Sequence, residues 1–316
     1  MQADDPNAVC GNAEAARMEP ASRHGIRRIL VAVDDTTRAA GIASCATALA
    51  RSESANLCFY EAIEVPPEFP PAAATHSLDK LPAYLRREAE TRLNEFARAA
   101  QDLSAEISID ESANPGEAIV RASHRYAADL IVIGSHKYGV VERMLGTTIA
   151  HVIASADCNV LTVRDEAPPS KAQTGESPFV LACLDDSPTA VDVYRAAVTM
   201  AQAQRLPLRA LRVVTGAGEV PESFRDLTAQ GVRDLEAIAK SAGVGVLAGC
   251  SATIENSVAQ AICASANATP AALVVLGARR AGRLRSLAAI APHVVRHCAR
   301  PVLIVRLQGT TRSRSA

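Results

Sequence analysis

Two small-residue clusters in the first half of the chain have the spacing of a phosphate cradle. The apolar run Leu130-Ile131-Val132-Ile133 empties into Gly134-Ser135-His136, and twelve residues after Gly134 comes Gly146-Thr147-Thr148. A glycine at a strand end can take positive φ and lets a ligand come close to the backbone. A glycine and two threonines at a helix start offer unpaired N–H groups, the positive end of the helix dipole and two hydroxyls, all suited to an anion. The plainer reading is a strand that happens to end in glycine and a helix that happens to start with threonine. The segment has neither the Gly-Lys-Ser/Thr of a Walker A loop nor the second glycine of GxGxxG.

Other reactive side chains are less committed. Asp34-Asp35 and Asp185-Asp186 each follow an apolar run. Consecutive strand-end residues point to opposite faces, so neither pair makes an acid/base couple. The first of each pair is expected at a crevice and the second as a helix cap or surface charge. His136 lies in a loop, where it could touch phosphate, act as a base or do neither; no Ser-His-Asp pattern supports catalysis. His293 and His297 stand at i and i+4 with no third metal ligand in the pattern, so no metal site is assigned. Arg279, Arg280, Arg283 and Arg285 form a basic cluster that reads as solvated or salt-bridged, or as a hold for an anion. The cysteines, Cys10, Cys45, Cys58, Cys158, Cys183, Cys250, Cys263 and Cys298, include no CxxC and no zinc spacing. They read as free thiols in a reducing compartment.

These residues are positioned by a pattern that is written twice. Ile29-Leu-Val-Ala-Val-Asp34-Asp35-Thr36 matches Val180-Leu-Ala-Cys-Leu-Asp185-Asp186-Ser187. Asp129-Leu-Ile-Val-Ile-Gly134 matches Ala272-Leu-Val-Val-Leu-Gly277, and Asn159-Val-Leu-Thr-Val-Arg164 matches Pro301-Val-Leu-Ile-Val-Arg306. The offsets are 151, 143 and 142 residues, so the second copy is slightly shorter in its middle. The expected organisation is a disordered tail over 1–25, a first domain over 26–164, a polar linker over 165–177, a second, degenerate domain over 178–307 and a tail over 308–316.

Each copy alternates strand and helix. The first copy predicts strands near 28–33, 56–63, 105–110, 129–134 and 159–164, with helices near 37–51, 84–103, 115–127 and 146–155. Leu93, Phe96, Ala97, Ala100 and Leu103 repeat at helical spacing. Asn114-Pro115-Gly116-Glu117 is a helix start, with Asn as N-cap and Pro in the first turn. The second copy predicts strands near 178–184, 207–214, 247–253, 272–277 and 301–306. Such βαβ alternation gives a doubly wound, five-stranded parallel sheet with helices on both faces in each copy. Ligands in these sheets bind beyond the strand carboxyl ends where the strand order reverses. Asp34 and Gly134 share that crevice if the first and fourth strands are neighbours.

Composition agrees with this class. The chain has 316 residues, 48% of them hydrophobic but only 3% aromatic and none Trp, so the core is aliphatic. The 33 basic and 34 acidic residues nearly cancel, leaving no field to attract nucleic acid or an anionic membrane. No run reaches the length of a membrane span and the first 25 residues have no secretory apolar core, so a cytoplasmic protein is expected.

The order ILVAVD (29–34), NPGEAIV (114–120), DLIVIGSH (129–136), LGTT (145–148) and NVLTVR (159–164) resembles the universal stress protein family, in a tandem form. The resemblance covers 28–164 strongly and 178–306 more weakly. Many members of that family bind ATP through Gly-x2-Gly-x9-Gly-Ser/Thr. The resemblance therefore implies ATP in the first domain, with Asp34 beside the nucleoside and Ala62 by the adenine. It implies phosphate contacts from Gly134, Ser135, Lys137, Gly139, Gly146, Thr147 and Thr148, with Mg²⁺ bridging the phosphates. Two departures stand out. Lys137 replaces the second glycine, with Gly139 two residues on, and the loop is one residue short. Lys137 either clashes with the nucleotide or pairs with phosphate.

The second copy keeps Gly277 and Asp185 but has Ala289 where Gly146 stands, which implies no nucleotide there in the family's manner. The family's fifth strand mediates dimer pairing. A tandem chain is then expected to form an intrachain pseudo-dimer, strand 159–164 against 301–306, with further homodimerisation open. The implied role is a stress-response, nucleotide-binding regulatory protein acting with an unknown protein partner, not an enzyme. A nucleotide-free interaction scaffold is the alternative, and a slow ATP phosphohydrolase with His136 as base comes third.

Overall fold

The structure, a computed structural model, describes residues 25–64, 81–135, 146–164, 175–187, 189–215, 221–244, 247–278 and 290–306. The chain divides into two compact units, residues 26–165 and the part from 166 on.

In the first unit the order is β1 (Arg28–Val33), α1 (Ala39–Glu53), β2 (Asn56–Glu64), α2 (Leu81–Ala99), β3 (Ala105–Ser112), α3 (Pro115–Tyr126), β4 (Leu130–Gly134), α4 (Thr147–Ser155) and β5 (Asn159–Val163). The strands lie in the order β3-β2-β1-β4-β5. Every neighbouring pair in this unit is parallel. A parallel strand pair needs a crossover helix, and covering both faces makes the strand interiors continuous aliphatic runs. Ile29, Leu30, Val31, Leu130, Ile131 and Val132 are accordingly fully buried. Helix α2 packs on β2 and β3, α1 on β1, β2 and β4, and α3 packs on the sheet and against α4.

The expected N-cap is present. The Asn114 side chain accepts the backbone N–H of Glu117 at 3.2 Å, with Pro115 opening the helix. The second unit repeats the plan with β6 (Phe179–Cys183), α5 (Ala190–Gln204), β7 (Leu208–Val214), α6 (Pro221–Ala242), β8 (Gly249–Ile254), α7 (Val258–Ala268), β9 (Ala271–Ala278), α8 (Ile290–His297) and β10 (Val302–Arg306). Its strand order is β10-β9-β6-β7-β8, again parallel. Here Ser257 caps α7, its hydroxyl accepting the N–H of Gln260. Among the described residues no helix is long and apolar enough to cross a membrane.

One ion pair is nearly buried. Glu61 on β2 accepts from the Arg92 guanidinium at 2.6 and 3.1 Å. Burial pushes the Glu61 carboxyl up, Arg92 pulls it back, and Asp35 and Asp34 push it up again, with a net upward direction. A carboxyl whose folded pKa exceeds its unfolded one costs stability as pH rises through that interval. Arg92→Met removes the attractive partner found among the described residues and leaves a buried carboxylate near Asp34 and Asp35. We expect this variant to lose about 3 kcal/mol near neutral pH. The loss should shrink as pH falls to about 3, below the ordinary glutamate range, where the unfolded carboxyl is protonated and the folded one, shifted upward, is protonated with it. Urea unfolding at the two pH values checks this; an equal loss at both would contradict it.

Candidate functional site

The strand order reverses between β1 and β4. The crossover through α1 carries the chain from β1 to β2 on one side, and the chain later returns to place β4 on the other. The two strands are paired through Ala32↔Ile133. Asp34 and Gly134 thus leave the carboxyl ends of adjacent strands, where such sheets bind ligands. On the other flank Val33 pairs with Glu61, which brings Ala62, half-buried, alongside Asp34.

Asp34 is not simply presented to solvent. Its Oδ1 accepts the backbone N–H of Thr36 at 3.1 Å and the Thr36 hydroxyl at 2.6 Å. This side-chain turn fixes the carboxylate at the mouth of the crevice. Asp35 is exposed. It is not the N-cap of α1, which is Arg38 with no side-chain capping bond, so the surface-charge reading holds for it. Asp185 repeats the turn, accepting from Ser187 N at 3.1 Å and Ser187 Oγ at 2.5 Å. Asp186, likewise exposed, lies 3.4 Å from Arg212.

Gly134 does not use the left-handed backbone open to glycine. It ends β4 in register with Val163, and Ser135 extends the ladder by donating its N–H to the Val163 carbonyl at 2.9 Å. The described glycines with positive φ are Gly175 and Gly243. Gly134 keeps the strand conformation in register with Val163, so its use at this position is the absence of a side chain. The Ser135 hydroxyl also turns to the Val163 carbonyl, at 3.3 Å.

The crossover from β4 to β5 runs α4 antiparallel to the strands, which puts its first turn at the carboxyl end of the sheet. Gly146 is the N-cap, with φ −57°, ψ 146° and no side-chain cap. The amides of the first turn have no intrahelical acceptor. The glycine cap itself brings no side chain to them, and Thr147 and Thr148 stand beside them. Among the described residues, a Cβ built on Gly146 would meet Ile149 Cγ2, at 4.0 Å, and nothing closer.

What holds α4 there is Gly116, in the first turn of α3. A Cβ at Gly116 would lie 2.9 Å from His151 Cβ and 3.0 Å from the Thr148 carbonyl oxygen. The two helices meet through this gap at the very turn that carries Thr148. Sequence reading took Gly116 only as part of a helix start. The Glu61–Arg92 pair, beside Asp34 and Asp35, was missed as well.

Lys137, Gly139 and His136 lie outside the described residues, as do Arg279, Arg280, Arg283 and Arg285. The rings of His293 and His297 lie against one another at 4.3 Å. Among the described residues no group of three or more His, Cys, Asp or Glu gathers to hold a metal.

The pattern that defines the universal stress protein family matches residues 25–164 and again residues 179–306. The chain belongs to this family. It carries two copies of the family domain in tandem. A universal stress protein of Thermus aquaticus is 32% identical over 139 residues, which is 44% of this chain and 98% of that protein. A solved universal stress protein from Archaeoglobus fulgidus DSM 4304 superposes with a TM-score of 0.63 at 18% identity, covering 88% of this chain and 98% of that one. A functionally unknown protein from Pseudomonas aeruginosa PAO1 gives 0.59 at 16% identity, over 89% and 92% of the two chains. At these identities the structural likeness speaks for the fold.

Within the first universal stress domain, the α3–α4 contact makes a direct prediction. Gly116→Ala places a methyl against backbone and should push the α4 first turn away. We expect a loss of about 1–3 kcal/mol in chemical denaturation. A variant as stable as the wild type would mean the two helices are not held by this contact.

Proposed function

We propose that the first domain binds ATP and that its output is regulatory. Membership of the universal stress family supports a stress-related regulatory role. The observation that carries the nucleotide reading is the opening at the β1/β4 reversal. Asp34 stands at one strand end, Gly134 at the next, and an α4 start without a side-chain cap, Gly146-Thr147-Thr148, stands at the same end of the sheet.

In this reading the adenine lies by Ala62 and the ribose hydroxyls donate to Asp34. The first-turn amides and hydroxyls of α4 receive the phosphates, with Gly134 leaving room for them and Ser135 at the rim. Lys137 and Gly139 belong to the proposed phosphate contacts on the motif alone. Mg²⁺ would arrive with the phosphates, since no cluster of carboxylates among the described residues is committed to it. The described cysteines are thiols and not disulfides, which suits the reducing cytoplasm we propose as the location. The site is read as a binding module that recruits a protein partner when loaded.

The test is calorimetric titration of the full chain with ATP and Mg²⁺, beside Gly146→Asp. Among the described residues nothing at Gly146 obstructs the aspartate. Asp is also a good N-cap, so the variant should be at least as stable as the wild type. Its carboxylate occupies and repels the place where phosphate would sit. One site per chain, lost in the stable variant, is the expected result. No binding by the folded wild type would remove the nucleotide reading and leave an interaction scaffold. Binding untouched by Gly146→Asp would place the nucleotide elsewhere.

A further inference from the structure

The second domain repeats the architecture of the first but not its chemistry. At the carboxyl ends of β6, β7 and β9 its side chains surround a cavity of about 130 Å³. This is the same place in the fold as the crevice of the first domain, because β6 lies between β7 and β9 as β1 lies between β2 and β4. The residues around it can be matched through the strand registers. Cys183 pairs with Leu211 and Leu276, as Ala32 pairs with Tyr60 and Ile133. Val213 therefore stands where Ala62 stands in the first domain.

The helix start is where the two domains part. Counting from Gly134 and Gly277, Thr147 becomes Ile290, Thr148 becomes Ala291 and Ile149 becomes Pro292. Both hydroxyls are gone. Proline has no N–H, so α8 also lacks one of the first-turn donors that α4 keeps. Ile290 turns its side chain to the cavity, and Ala291 is buried. The remaining wall is aliphatic, chiefly Leu184, Val193, Leu211, Val213 and Ile262. Cys183 lines it too, and burial pushes its thiol well above the ordinary value, so it presents a neutral S–H.

The polar groups are gathered on one side. Asp185 and Ser187 line the cavity, the Ser187 hydroxyl lying 2.5 Å from Asp185 Oδ1 and 2.9 Å from Thr189 Oγ1. A phosphate placed here would meet a carboxylate and an apolar helix start. An apolar body would instead gain about 25 cal/mol for each Å² it withdraws from water. A cavity of roughly 150 Å³ lined by Leu, Ile and Phe is known to hold benzene, which sets the scale for this one.

We propose that the second domain is a binding site for a small, uncharged, phosphate-free organic molecule. About one ring of the ligand is buried against Val193, Val213 and Ile290, and a hydroxyl or a neutral ring N–H of the ligand donates to Asp185. The tandem chain would then carry two ligand sites of opposite character on one fold. The proposal stands independently of nucleotide binding by the first domain.

Methyl NMR of the full chain, labelled at Ile, Leu and Val, tests it with indole, benzoate and inorganic phosphate as probes. Indole carries a ring and one N–H donor. It should shift the methyls of Val193, Val213 and Ile290 in a saturable way. Benzoate, with a negative charge beside Asp185, should bind more weakly, and phosphate should leave these methyls unmoved. Val193→Phe fills the cavity and should weaken indole by about tenfold or more. Asp185→Asn should narrow the difference between indole and benzoate. Absence of saturable indole shifts in the wild type would overturn the proposal, whether or not Val193→Phe folds. Phosphate shifting the same methyls would overturn it equally.

Discussion

The structure depends on one constraint: parallel strands cannot be joined by a tight turn. Each connection must cross over the sheet through a helix, and the crossovers share one hand. When the chain builds β1, β2 and β3 outward and then returns to lay β4 on the other flank of β1, the helices on either side of that reversal cover opposite faces. Neither closes the gap at the strand ends. The opening between Asp34 and Gly134 follows from this topology before any side chain is chosen. The second domain has the same opening for the same reason.

Side chains then decide what each opening can hold. In the first domain a glycine caps α4 without a side-chain bond to its amides, and Gly116 lets α3 come close enough to fix that turn. The acidic groups at the mouth, Asp34, Asp35 and Glu61, would repel one another and a nucleotide alike. Arg92 neutralises part of that charge from α2, and Thr36 ties Asp34 into a defined direction. In the second domain Ile290, Ala291 and Pro292 replace the donors of the helix start, and the opening becomes an aliphatic cavity with Asp185 at one side. The family relation explains why the two share a backbone. The local chemistry at the two helix starts differs, Thr147 and Thr148 in one and Ile290 and Ala291 in the other.

Much of this was legible in the residues. Strands over Arg28–Val33 and Val302–Arg306 announce themselves as aliphatic runs because both sheet faces are covered. Asn114-Pro115 reads as a helix start because its capping bond is local. The adjacency of β1 and β4 was a conditional reading, and the register Ala32↔Ile133 meets the condition. The remainder depends on distance in space. Glu61 and Arg92 are 31 positions apart, and nothing in their spacing links a strand to the next helix at that point. Gly116 reads as a turn residue until the α4 backbone lies against it. Gly134 could take a left-handed backbone, but it continues β4 in register with Val163. The loss of hydroxyls at Ile290 was visible as a failed motif. That the failure leaves a cavity appears only when Val193, Val213 and Ile262 are seen around it.

The central claim is that the first domain, at the β1/β4 reversal, holds the nucleotide. Photolabelling of the full chain with 8-azido-ATP, followed by peptide mapping, tests it most directly, because the azide reports where the base lies. The account predicts label on the β2 segment around Ala62, displaced by excess ATP. Label confined to second-domain peptides such as the one around Val213, or label that ATP does not displace, would contradict it.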